Sequence, residues 1–160
     1  MPTLGKVNLE SYISGYVDGE GSFCVSMRPR KGNIVGWEVI ASFSVSQNED
    51  RSEVLDLIRD YFKCGFIRRN VSDKTLKYET RSLSDLVTKI IPHFEKYPLQ
   101  SGKHKDFDIF KKVCHKMRRG EHLRKKGLIE IAELVSVMNP SGRRLYNKKV
   151  ILGSLNKMKI

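Results

Sequence analysis

The stretch "SYISGYVDGEGSF", residues 11–23, begins as an apolar, small-residued helix, breaks into Asp18-Gly19-Glu20-Gly21 and leaves as a strand. Leu9, Tyr12, Ile13, Tyr16 and Val17 recur at three- and four-residue steps, which predicts a helix over about residues 8–18 that ends at Gly19 and Gly21. Ser14 and Gly15 stand on it where larger helix formers are ordinary. A helical glycine costs about 1 kcal/mol relative to alanine, so close approach of another backbone is the expected compensation. The two carboxylates, Asp18 and Glu20, fall where the chain can bend sharply.

Outward from this stretch the pattern is unusually regular. In residues 22–30 the odd positions are Phe23, Val25, Met27 and Pro29, and the even ones Ser22, Cys24, Ser26, Arg28 and Arg30. A turn-rich loop, residues 31–36, leads to a second alternation. Trp37, Val39, Ala41, Phe43 and Val45 are expected inward, with Glu38, Ile40, Ser42, Ser44 and Ser46 outward. Two half-buried strands joined by a loop make an antiparallel hairpin with one apolar and one polar face. The polar face carries serine and arginine with a single acid, which suits a contact surface.

A helix over about 49–63 follows, then a second strand pair over about 65–81 bearing Arg68, Arg69, Asn70, Lys74, Lys77 and Arg81. Leu76 and Tyr78 are expected inward. Further helices are predicted near 84–94, 103–118 and 127–139, giving the order α-ββ-α-ββ-α-α-α. Residues 148–160 read as a loose basic tail.

The totals fit this outline. A chain of 160 residues, 39% apolar and 30% charged, is expected to form one soluble domain with its own core. No apolar run approaches the roughly 20 residues of a membrane span, and no secretory signal opens the sequence. Cys24, Cys64 and Cys114 are scattered and odd in number, as expected of reduced thiols in an intracellular protein. Cys114-His115 with His122 could hold a metal, but separate surface or core roles are the simpler reading. The net charge of +12 favours a polyanionic partner, nucleic acid before anionic membrane. Residues 1–95 carry 13 Lys/Arg against 13 Asp/Glu, whereas residues 96–160 carry 17 against 5, so the whole excess lies in the second part.

With these segments in order, Ser14-Gly15-Tyr16-Val17-Asp18-Gly19-Glu20-Gly21-Ser22 resembles the signature of LAGLIDADG homing endonucleases. The hairpin after it is similar to that family. So are the Phe43–Arg51 strand-to-helix segment, Tyr97-Pro98-Leu99 with Lys103, Asp106 and Phe107, and Gly127-Leu128 with Ile131, Met138 and Asn139. The resemblance covers about residues 8–140. It implies an α+β fold, an αββαββα core whose four antiparallel strands form a saddle for the DNA major groove, in a single domain over 1–160 with 141–160 as a basic tail. A major groove admits a two-stranded ribbon, so the polar hairpin faces have a destination. One motif per chain implies a homodimer whose motif helices meet through Tyr12, Ser14, Gly15 and Asp18, and hence a roughly palindromic site.

The resemblance also assigns chemistry. Glu20 would ligate the metal with help from the carbonyl of Gly19, and hard oxygen ligands suit Mg²⁺. Mn²⁺ is expected to substitute, and Ca²⁺ to bind without supporting cleavage. Asp18 matches the family's first acid, structural at the helix end. Gln47 and Arg51 match a pocket that positions water and steadies the scissile phosphate; otherwise Gln47 is a helix-entry residue and Arg51 a partner for nearby acids. Lys103 is the expected basic partner, with Lys105 and Lys96 as alternatives. Base readout is expected from Cys24, Ser26, Arg28, Arg30, Asn33, Glu38, Ile40, Ser42, Ser44, Arg68, Asn70 and Lys77, led by the arginines, since arginine bidentate to guanine is the commonest specific contact. The basic second part would grip flanking phosphates.

The function so implied is a homodimeric, Mg²⁺-dependent endonuclease making a staggered double-strand cut in a long pseudo-palindromic DNA site and promoting spread of its host intron or intervening sequence. The partners are double-stranded DNA and a second copy, with no membrane and no organic cofactor. The setting is intracellular: bacterial or archaeal cytoplasm, chloroplast or mitochondrion. The alternative is an RNA maturase or a non-cleaving DNA-binding protein of the same fold. A generic basic RNA-associated domain would leave the 19–21 turn unexplained.

Overall fold

A computed structural model describes residues 5–139, 144 and 146–158. Asn8 caps α1 (Leu9–Glu20), its side chain accepting from the amide of Ser11 at 2.7 Å. The helix runs through Gly19 to Glu20, two residues beyond the span predicted for it. Only at Gly21 does the backbone become extended, its amide still donating to the carbonyl of Val17. A Cβ at Gly21 would lie 2.8 Å from that carbonyl oxygen, so the turn from helix to strand needs glycine there.

The strands β1 (Gly21–Pro29), β2 (Trp37–Asn48), β3 (Phe66–Asn70) and β4 (Thr75–Thr80) form one antiparallel sheet in the order β1-β2-β4-β3. The expected α+β architecture is therefore the observed one. The described residues fall into two compact units, one of residues 5–22 with 43–104 and one of residues 23–42 with the described residues from 105 onward.

In the first unit a 3₁₀ turn (Glu49–Arg51) leads into α2 (Glu53–Phe62). Phe43 is fully buried, with Phe62, Tyr78 and Phe94 edge-on around it at ring distances of 5.5–6.1 Å. α3 (Leu83–Asp85), a π turn (Leu86–Ile90) and α4 (Ile91–Lys96) follow one another without a break. Pro92 lacks an amide and its ring would crowd the carbonyl four residues back; the π turn before it widens the ladder.

The inner side of α1 is tied to α4. Ser14 Oγ lies 2.7 Å from the carbonyl of Tyr97 and 3.0 Å from Nε2 of His93, whose Nδ1 is 2.9 Å from Tyr61 Oη. The Tyr97 carbonyl can only accept, so Ser14 donates to it and accepts from His93 Nε2–H, while Tyr61 donates to Nδ1. Burial lowers the His93 pKa to about 4. Ser14, expected at a dimer contact, is thus buried and satisfied within its own chain.

In the second unit the alternation of β1 holds for Phe23, Val25 and Met27, whereas Pro29 is exposed. Phe23 meets Phe107 and Phe110 of α5 (Lys103–Arg118) at 5.3 and 5.2 Å. A 3₁₀ turn (Glu121–Leu123) and α6 (Lys125–Ser136) follow. Asn139 Nδ2 donates to the carbonyl of Phe23 at 2.9 Å. The predicted loose tail is corrected: Lys148–Asn156 forms α7, which buries Ile151 and Leu155, and Ser154 Oγ accepts from the indole of Trp37 at 3.1 Å. Ile151 and Leu155, four residues apart, fall on one face and dock the helix. The described part of 141–160 is therefore in part a packed helix.

Candidate active site and nucleic-acid interface

The two motif carboxylates, two residues apart at the end of α1, have different surroundings. Asp18 accepts from the amides of Gln100 and Ser101, both at 2.9 Å, and from the Ser101 hydroxyl. Partial burial alone would raise its carboxyl. The Ser101 and Gln100 hydrogen bonds and the charge of Lys103 together hold it below its ordinary value. Asp18, expected at the helix end and at a dimer contact, therefore anchors the loop before α5 from within its own chain. Glu20 is exposed and, among the described residues, has no hydrogen bond or ion pair.

Lys103 donates to the carbonyls of Val17 at 3.0 Å and Gly21 at 2.6 Å, putting its ammonium on the C-terminal end of α1. A cation there complements the negative end of the helix dipole. Of the alternatives, Lys96 lies over the ring of Tyr97, 5.5 Å from its centroid, and Lys105 is an exposed residue of the second unit.

Gln47, at the end of β2, donates from Nε2 to Tyr16 Oη, and its Oε1 accepts from the amide of Asn48 at 2.8 Å. Gln47, Arg51, Tyr12 and Tyr16 line one open concavity with Glu53, Val54 and Leu57. Arg51 is exposed and has no ion pair among the described residues. Tyr16, which the sequence places in the helix stripe and in the motif, is a further residue of this concavity. Its spacing four residues from Tyr12 was visible, but the partner it holds on β2 was not.

On the outer side of α1, Tyr12 is 44% exposed, and a Cβ at Gly15 or Gly19 would meet nothing within 4 Å. Ser11, Gly15 and Gly19, spaced at i, i+4 and i+8, make this an open face of small residues.

Of the expected base-reading residues in the second unit, Cys24, Ser26, Arg28 and Arg30 are exposed and Asn33, Glu38, Ile40 and Ser42 half-buried. Arg28 Nε and Arg30 Nη1 both donate to the Glu38 carboxylate, the former at 2.6 Å. The hydrogen bond from Arg28, with the charges of both guanidiniums, holds the Glu38 carboxyl below its ordinary value.

In the first unit Arg68 and Asn70 are exposed and Lys77 half-buried, while Ser44 is buried, contrary to expectation. The register explains Ser44: it pairs with Glu79 on β4, itself buried, so this stretch of β2 is covered on both faces. Glu79 is not among the residues expected at the site; the signal for it is an acid between Lys77 and Arg81, with Arg68 a strand away.

Among the described residues no three His, Cys, Asp or Glu side chains gather as a metal site. Cys114 is buried, its thiol pushed up to about 12, which suits a core position rather than a ligand. No helix among the described residues is long and apolar enough to cross a membrane.

The family model for the LAGLIDADG endonuclease matches residues 13–114. The chain belongs to the LAGLIDADG endonuclease family. It is 36% identical over 130 residues to a probable intron-encoded endonuclease of Neurospora crassa, covering 81% of this chain and 29% of that protein. The chain spans about a quarter of the length of the first curated relatives it matches. Among solved structures, the homing endonuclease I-TnaI superposes with a TM-score of 0.80 at 34% identity, covering 92% of this chain and 96% of that one. I-SmaMI bound to an uncleaved DNA target in the presence of calcium ions gives 0.83 at 31%, covering 95% of this chain and 50% of that one.

Proposed function

We propose that this chain is a homing endonuclease which, as a homodimer, makes a Mg²⁺-dependent staggered double-strand cut in a long pseudo-palindromic DNA site, promoting spread of a host intron. The observation that carries this reading is the unpartnered carboxylate of Glu20 at the exposed end of α1, where Lys103 already occupies the carbonyls of Val17 and Gly21. Endonuclease relatives with DNA-bound structures support the same reading.

The donor set fits a hard divalent cation. Glu20 would hold Mg²⁺ with the Gly19 carbonyl; two oxygen donors leave room for the waters and phosphate oxygens that this ion keeps. When bound, it would activate water and offset charge on the attacking and leaving oxygens. The chain's own residues do the rest. Gln47, fixed through Tyr16, orients the attacking water. Arg51, which lines the concavity without an ion pair among the described residues, meets the scissile phosphate, and Lys103 supplies positive charge beside the turn.

The small outer face of α1 supports dimerisation through Tyr12 and Gly15. The chain covers half of an I-SmaMI chain, so a second copy would supply the equivalent of the other half. A pair related by a two-fold axis brings two Glu20 carboxylates to one DNA site, one for each strand. Arg28, Arg30 and Arg68 then read base edges, and the Lys/Arg excess beyond residue 96 grips phosphates in a salt-dependent way.

The test is a cleavage selection on a randomised, palindrome-biased duplex library, with wild type and Glu20→Gln, in Mg²⁺ and in Ca²⁺. Expected are cuts that need Mg²⁺ and vanish with Glu20→Gln while binding survives. Specific binding without cutting by either protein would move the assignment to a non-cleaving DNA-binding role. Sedimentation of the free protein and its complex reads the dimer.

A further inference from the structure

Glu79 stands apart from the assigned residues. Its side chain is 3% exposed, yet it lies on the polar side of β4, across from Ser44 on β2 and Phe66 on β3. A buried carboxylate is costly unless paired. Here three cations surround it: Arg81 Nε at 3.2 Å and Lys77 Nζ at 3.9 Å from Oε1, and Arg68 Nε at 3.6 Å from Oε2. The cations themselves reach the surface, Arg68 54% and Arg81 53% exposed.

The geometry assigns Glu79 as a positioning residue for base readout, acting through Arg68 and Arg81; this rests on the DNA-binding reading above. Both guanidiniums approach the acid by their Nε edge. The terminal Nη pair of each, the fork that addresses guanine O6 and N7, has no partner of its own among the described residues. An arginine held at its Nε loses less rotamer freedom when it binds a base than a free one does. Oε2 of Glu79 is buried and makes no hydrogen bond among the described residues. Arg68 stands at 3.6 Å from it, so a movement of about 0.7 Å brings Nε to ordinary hydrogen-bond distance. A base that fixes the Arg68 fork therefore also completes the pairing of the buried acid, and a base that cannot fix it leaves that acid unsatisfied. Glu79 in this way amplifies the difference between right and wrong base pairs.

Glu38 holds Arg28 and Arg30 in the second unit by the same kind of contact, Arg28 through its Nε. The β1–β2 and β3–β4 hairpins each carry one acid that organises the arginines of their polar side.

The experiment is a binding selection from a randomised duplex library without divalent metal, using full-length wild type, Glu79→Gln, Glu79→Asp, Arg68→Ala and Arg81→Ala. Each is read as base preference per position and as salt dependence, with thermal melting alongside. Glu79→Gln is expected to lower base preference about fivefold or more at the positions flattened by Arg68→Ala or Arg81→Ala, and to steepen the salt dependence as the released cations turn to phosphates. If Glu79→Gln does not fold, Glu79→Asp, which keeps the charge but withdraws it by one methylene, should flatten the same positions. A folded Glu79 variant with the wild-type preference profile overturns the inference, whatever its melting temperature. A wild type that selects no sequence overturns the DNA-binding reading itself, and the role of Glu79 with it.

Discussion

On the inner side of α1 the polar groups are engaged within the chain: Ser14 bridges His93 and the Tyr97 carbonyl, and Asp18 takes the amides of Gln100 and Ser101. On the outer side the same twelve-residue helix presents Ser11, Gly15, Gly19 and the unpartnered Glu20, with open space over both glycines. Two carboxylates separated by one glycine thus differ in their surroundings, one satisfied by the fold and the other without a partner among the described residues. The difference shows that acidic residues side by side in a motif need not share a role, and that accounting for hydrogen bonds distinguishes them.

The sharpest way to break this comparison is to neutralise each acid in turn. Glu20→Gln is expected to leave stability within about 0.5 kcal/mol, as for an exposed substitution without partners. It should slow single-turnover cleavage by at least about 10²–10³-fold, the scale of losing one electrostatic stabiliser at a reacting centre. Asp18→Ala should do the reverse in urea unfolding, costing about 1–3 kcal/mol for the lost hydrogen bonds to a charged acceptor. The contribution of Asp18 has a definite pH sign. Its folded-state carboxyl is depressed, so the stabilisation is present above the unfolded carboxylate range near 4 and is lost as pH falls through the lower folded value. A Glu20→Gln protein that unfolds as easily as Asp18→Ala would erase the distinction between the two sides.

His93 sharpens the inner side further. Its folded pKa is lowered to about 4 against an ordinary value of 6.5, so between these limits the unfolded chain binds more protons. Stability is expected to fall as pH drops from about 6.5 towards 4, by on the order of 3 kcal/mol, followed by urea midpoints across that window. Protonation also removes the lone pair that accepts from Tyr61. A Ser14→Ala protein loses the acceptor for His93 Nε2–H and the donor to Tyr97, and should be destabilised by about 1–3 kcal/mol at pH 7. A flat pH profile in wild type would overturn the neutral, directed chain from Tyr61 to Tyr97.

Much of this was legible in the sequence because periodicity is strong where burial is one-sided. The 3.6-residue stripe of α1 and the strict alternation of β1 and β2 announce elements whose apolar face alone decides their placement. The structure confirms Val25 and Val39 inward, and Arg28 and Arg30 outward. The positions that misled are those whose surroundings come from distant chain. Ser44 follows the alternation but is covered because Glu79 is brought opposite it, and nothing near residue 44 encodes that pairing. Ser14 carried the mark of a small helix residue, yet its hydroxyl is claimed by residues 79 and 83 positions away. The helix over Lys148–Asn156 was hidden by four basic residues around two core contacts.

The outer side of α1 yields the smallest effect and one of mixed sign. Gly15 is helical with nothing within 4 Å of a would-be Cβ, so Gly15→Ala should stabilise the isolated chain by up to about 1 kcal/mol through helix propensity alone. If a second copy lays its own α1 on this face, the added methyl groups hold the two backbones apart and weaken association by a comparable amount. Unfolding measured at dilution, where the chain is alone, should therefore shift to higher urea, while sedimentation should show a raised dimer dissociation constant. A gain in both would mean that this face is not where copies meet. A loss in both would mean that the space above Gly15 is filled from within the chain.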